Sequence, residues 1–157
     1  MKKLAAVFLL LLAIAFLGTL TKSNSPTLAS LKKLIFSPHI TIKNQTFSLL
    51  VAKTEAEREK GLSGRASLPK NQAMYFVFDH PDYYAFWMKD MEFPLDIIYI
   101  HNNTVVTIYQ NLQAPKKDAT TWQIIKPSEP ADGVLEINAG LASQYQIQKG
   151  DSVNLSL

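Results

Sequence analysis

From His39 onward, turn-forming residues interrupt the chain every few positions, and most apolar segments between them are too short for ordinary helices. In HITIKNQTFSLLVAK, Ile40 and Ile42, then Phe47, Leu49 and Val51, alternate around Lys43-Asn44-Gln45, the pattern of two strands with one buried face. AMYFVF (73–78) reads as a strand, DHPDYY (79–84) as a turn and AFWMKDM as a short strand. LDIIYIHNNTVVTIYQNL (95–112) reads as a hairpin turning at His101-Asn102-Asn103-Thr104. TWQIIK (121–126), VLEIN (134–138) and the segment after Gly150-Asp151 add further strands. Thr54 followed by Glu57 has capping-box spacing, with Gly61 as a left-handed stop, and Asn138 is placed to cap a second short helix in AGLASQYQ. No internal repeat and no βαβ rhythm is visible. The expectation is therefore a mainly β single domain, an antiparallel sandwich or barrel-like sheet with one or two short helices.

Ahead of this domain, residues 4–20 form a nearly pure apolar run behind Met1-Lys2-Lys3. A basic start followed by such a run predicts an N-terminal apolar helix acting as a signal peptide or signal anchor over 1–22. A Ser-, Thr- and Lys-containing linker over 23–38 would join it to the domain at 39–157. The domain would then be exported, either periplasmic or extracellular, or held on the outer face of the cytoplasmic membrane through an uncleaved segment. Excluding Lys2, Lys3 and Lys22, basic and acidic residues balance at 13 each, which removes the electrostatic reason to expect a nucleic-acid partner. The chain has no cysteine, so neither disulfides nor thiol chemistry enters.

More than half of the aromatic residues fall between Tyr75 and Tyr99, as a thick core or as a lined cleft. Alternation through 86–90 sets Phe86, Met88 and Asp90 on one face and Trp87 with Lys89 on the other. Asp96 falls on the face of Ile98 and Ile100, where a carboxylate requires a partner. Of 16 basic residues only Arg58 and Arg65 are arginines, whose guanidinium grips a carboxylate with two bonds. Either one is the expected mate of Asp96, with Lys89 as the alternative. Asp90, Asp96 and Glu136 also supply a candidate carboxylate pair for hydrolysis. His39, His80 and His101 lack metal-ligand spacing, and no phosphate loop or nucleophile elbow is present, so no metal or cofactor is expected.

EREKGLSGRASLPKNQAMYFVF, FWMKDMEFPLDIIYI, VLEINAG and KGDSV, in that order, resemble the DUF192 family (domain of unknown function 192) over residues 45–157. The Arg58-x-x-Gly61-Leu62-x-x-Arg65 and Phe86-Trp87-Met88-Lys89 blocks carry most of the resemblance, joined by Met74, Pro94, Leu95, Asp96, Glu136 and Gly140. It implies a mainly β domain with small helices and brings no established activity. Where the family usually has Asn-Thr, this chain has Asp90-Met91, which would alter a ligand contact there. The candidate ligand-binding residues are Arg65, Trp87, Lys89, Asp90, Asp96 and Glu136, with Arg58, Gly61 and Gly140 as structural positions. Three functions compete: a binding module for a small polar ligand or envelope saccharide, a structural or protein-partner domain of the envelope, and a carboxylate-based hydrolase.

Overall fold

The computed structural model describes residues 37–116 and 118–157. The anticipated apolar helix, the signal segment and nearly all of the linker lie outside them; among the described residues no helix is long and apolar enough to cross a membrane. The described chain is mainly β, with strands β1 (His39–Ile42), β2 (Gln45–Ala52), β3 (Gln72–Asp82), β4 (Phe86–Trp87), β5 (Leu95–His101), β6 (Thr104–Leu112), β7 (Ile124–Ile125), β8 (Ala131–Asn138) and β9 (Val153–Ser156). Two short helices, α1 (Glu55–Lys60) and α2 (Leu141–Gln144), complete it.

Seven strands form one sheet in the order β6-β5-β8-β3-β2-β1-β9, and β4 with β7 makes a separate two-stranded ribbon. The large sheet curls until its edges meet at one corner, where Thr104 bridges Ser152 and the Val105 amide donates to the Asp151 carbonyl at 3.0 Å. The β1–β2 hairpin has the alternation anticipated for it, with Ile40 opposite Phe47. α1 has both capping-box bonds, Glu57 amide to Thr54 hydroxyl at 3.2 Å and Thr54 amide to Glu57 carboxylate at 2.9 Å, and Gly61 ends it at φ +45°.

Three expectations require correction. The sheet is not wholly antiparallel, because β2 and β3 run parallel, joined by a crossover over 53–71 that contains α1. DHPD is not a turn: β3 continues through it to Asp82, which pairs with Ala131 after a register shift. Asn138 does not cap α2; its amide donates to the Leu68 carbonyl at 2.9 Å, and Gly140 occupies the cap position.

Both faces of the central strands are buried. On one face, side chains from all seven strands converge with Leu141, Ala142 and Ile147, among them Phe47, Tyr75, Ile98, Leu135 and Ile137. On the other face, Met74, Phe76, Ile97, Tyr99 and Val134 pack under Leu62 and Leu68 of the crossover and under Met88, Met91 and Ile125. This two-sided burial explains why β5 is a continuous apolar run rather than an alternating one.

Gly133 shows how tightly the first face is packed. A β-carbon there would lie 2.0 Å from the Tyr75 hydroxyl oxygen and 2.7 Å from Tyr75 Cζ. The rigid ring cannot yield without moving its neighbours, so Gly133→Ala is expected to cost about 1–3 kcal/mol in urea unfolding. An unchanged midpoint and slope would disprove this close-packing account.

Candidate functional site

A cleft of about 370 Å³ opens on the second face of the sheet, between α1 and the segment around β4. α1 and the residues after it contribute Arg58, Lys60, Gly61 and Ser63, while β3 contributes Phe76 and Phe78. Tyr84, Phe86, Trp87 and Lys89 form the opposite wall. The walls are held together by the Gly64 amide donating to the Asp90 carbonyl at 2.9 Å and the Ser63 hydroxyl donating to the Lys89 carbonyl at 3.3 Å.

The aromatic wall is a connected set of rings. Phe76 and Phe86 meet edge to face at 4.9 Å between centroids, and Phe78 stacks on Tyr84 at 3.6 Å. Arg58 lies over Phe78, 5.1 Å from its centroid, and donates to the Val77 and Lys53 carbonyls. Arginine thereby braces α1 against β3 while forming part of the cleft. Trp87 is 48% exposed at the rim, a high value for so large an apolar side chain.

Glu136 reaches the cleft from β8, between Met74 of β3 and Ile97 of β5 in the strand register. It is 5% exposed, and its Oε2 is buried with no hydrogen-bond partner among the described residues. Burial pushes its carboxyl pKa up to about 8, because the charged form loses water and, among the described residues, gains no compensating cation. Near neutral pH this group is chiefly a carboxylic acid, with a proton to donate and oxygens to accept.

The other anticipated residues are placed unevenly. Lys89 reaches the cleft from the turn that follows β4 rather than from a continuing strand, with its ammonium 5.5 Å from the Trp122 centroid, and Phe86, which alternation set on the opposite face, lines the same cleft. Asp90 lies in a turn after a strand of only two residues, with φ +55°, and flanks shallower hollows beside the main cleft. Arg65 is exposed, lies outside the cleft lining, and its side chain makes no hydrogen bond or ion pair among the described residues.

Asp96 is buried at 0% exposure, but neither arginine nor Lys89 is its mate. Its Oδ1 accepts from the Asn111 amide at 2.8 Å and the Gly140 amide at 3.1 Å, and its Oδ2 accepts from the Ala142 amide at 2.8 Å. The carboxylate thus serves the start of α2, where amides lack helical partners. It belongs to the opposite face from Glu136, since Asp96 pairs with Ile137 while Ile97 pairs with Glu136. The supposed Asp96–Glu136 pair therefore does not share a cleft. Gly140, at the cap position of α2, has φ +84°. Sequence reasoning left Phe78, Tyr84 and Phe86 unassigned within the aromatic concentration and gave Arg58 no place in the cleft.

The DUF192 family model, described as "Uncharacterized ACR", matches residues 38–155. Two solved structures are similar. One, of a protein of unknown function from Novosphingobium aromaticivorans DSM 12444, is 34% identical, with 74% of this chain and 83% of that one covered and a TM-score of 0.66. The other, of a putative transcription regulator from Sinorhizobium meliloti 1021, is 30% identical, with 75% and 90% covered and a TM-score of 0.64. No curated protein matches the chain.

Proposed function

The chain belongs to the DUF192 family, and we propose that its α1–β4 cleft is a binding site for a small polar ligand, with envelope saccharides as the class. The observation that carries this reading is the unpartnered Glu136 oxygen in a cleft whose rim holds a half-exposed tryptophan. Leaving a buried polar atom unpaired costs about 1–3 kcal/mol, and a ligand in the cleft would supply the missing partner. The indole face of Trp87 suits the C–H face of a sugar ring, while Lys60, Lys89 and Glu59 offer polar contacts at the rim. This reading needs no cofactor. The basic start and apolar run support export to the outer side of the cytoplasmic membrane, as a periplasmic or anchored domain.

Charge outside the N-terminal segment is balanced, which gives no electrostatic support in this chain for the transcription-regulator role in the Sinorhizobium relative's description. The hydrolase reading loses Asp96 from its three candidate carboxylates, because that residue is held behind the sheet by three backbone amides, and of the other two only Glu136 lines the main cleft, with Asp90 beside it. The protein-partner reading keeps one supporting observation: Trp87 and Ile124 are opposite each other on the β4–β7 ribbon, and Ile124 is 64% exposed.

Trp122→Phe leaves Trp87 as the sole tryptophan, so its fluorescence reports on the rim. Peptidoglycan and other envelope glycan fragments are expected to change that emission saturably. At 100 times the dissociation constant they should add about 2.7 kcal/mol, raising the melting temperature by several degrees. Trp87→Ala should melt normally but lose the ligand-induced rise. Silence to every fragment in a folded protein would reject the saccharide reading and favour a protein partner.

A further inference from the structure

Glu136 is surrounded by charged groups that are already occupied or lie at the rim. From α1, Arg58 is engaged by two carbonyls and the Phe78 ring, while Glu55, Glu59 and Lys60 line the cleft. Lys89 points over Trp122, and the Tyr99 hydroxyl on β5 donates to the Tyr84 and Ile125 carbonyls. β3 brings Met74, Phe76 and Phe78, none of them charged, to this side. No described protein group donates to the buried Glu136 oxygen.

Phe76 and Phe86 line the same space, edge to face, with Trp87 at the rim. An acid without a counter-charge beside aromatic rings favours a guest that brings the positive charge itself. An ammonium has three donors for the carboxylate and gains further from the negative faces of the rings. A neutral hydroxyl supplies one donor and no ion pair. We propose that the ligand is an amino sugar whose ammonium group seats on Glu136 beside the aromatic wall. This inference rests on the saccharide reading of the cleft.

Entry of the ammonium exchanges one cation for another. Glu136 gives its proton to solvent, becomes a carboxylate and pairs with the ligand, with no covalent bond made or broken apart from the departing proton's. The elevated pKa caused by burial means that this proton is present in the free protein below about pH 8. A ligand without a cation leaves it in place.

The test uses the full chain and two matched probes, the trimer of glucosamine and the trimer of N-acetylglucosamine. Calorimetry at about pH 6.5, where the sugar amine is charged, is run in two buffers of different ionisation enthalpy. The glucosamine trimer is expected to bind about tenfold more tightly or better and to release close to one proton. Glu136→Gln, checked first for a normal melt, should abolish both the preference and the proton release. The wild-type proton count is an independent reading if that variant fails to fold. Equal or tighter binding of the acetylated trimer, lost in Trp87→Ala, would overturn the amine inference and leave the saccharide site standing. Binding of neither trimer, together with silence from the wider glycan set, would reject both.

Discussion

Asp96→Asn is expected to destabilise the domain by about 3 kcal/mol, although among the described residues Asp96 makes no hydrogen bond or ion pair with another side chain. The carboxylate oxygens accept from three backbone amides. Asparagine keeps one acceptor oxygen and turns an NH₂ group toward an amide that also donates. The loss combines missing charge-assisted bonds with a buried donor left unpaired. Urea unfolding measures the total, and hydrogen exchange at Asn111, Gly140 and Ala142 locates it. Arg65→Ala provides the contrast, with an expected change within about 0.5 kcal/mol, because its side chain is exposed and without a partner among the described residues. A neutral Asp96→Asn would show that these amides are not what holds α2 in place.

The second large effect is a stability that falls as the solution becomes less acidic. The pKa of Glu136 is raised to about 8 in the fold from an ordinary value of 4.5. Below 4.5 both states hold the proton, and the contribution is fully present. Between 4.5 and 8 the unfolded chain releases its proton while the folded one retains it, so unfolding becomes progressively easier. At about 1.36 kcal/mol per pKa unit, the loss approaches about 5 kcal/mol by the upper end of the window. Glu57, lowered by its cap bonds, acts below the window, and Tyr75, raised to about 12 by burial, acts above it. Unfolding free energies at pH 5 and pH 8.5 should therefore differ in the wild type and nearly coincide in Glu136→Gln. Equal slopes in the two proteins would remove Glu136 as the cause.

What was legible in the sequence was local. The β1–β2 hairpin, the capping box of α1 and the β5–β6 hairpin depend on side chains a few positions apart, so periodicity and turn residues reveal them. Alternation through 86–90 did not sort the cleft wall, because β4 ends at Trp87 and Phe86, set on the opposite face, lines the cleft together with Trp87 and Lys89. The parallel β2–β3 pairing was hidden because it joins strands across a long crossover containing only a short helix. Asp96 signalled its need for a partner, but backbone amides have no residue type and leave no mark in composition. The scarcity of arginine therefore pointed to the wrong donor. Glu136 lay in plain view in VLEIN, yet its burial without a partner depends on what covers that face, and the covering segments come from 55–63 and 84–91.

The pairing of β1 with β9 bears on when the domain can assemble. His39 is matched with Ser156 and Ile42 with Val153, so the strand that opens the fold finds its outer neighbour only when the last strand has been synthesised. The corner between β6 and β9 waits for the same segment. Such sequence-distant closure makes folding slow relative to a protein built from neighbouring contacts. During synthesis, therefore, the emerging polypeptide lacks a completed native sheet until β9 is available, and the outer edge of β1 stays unpaired for that interval.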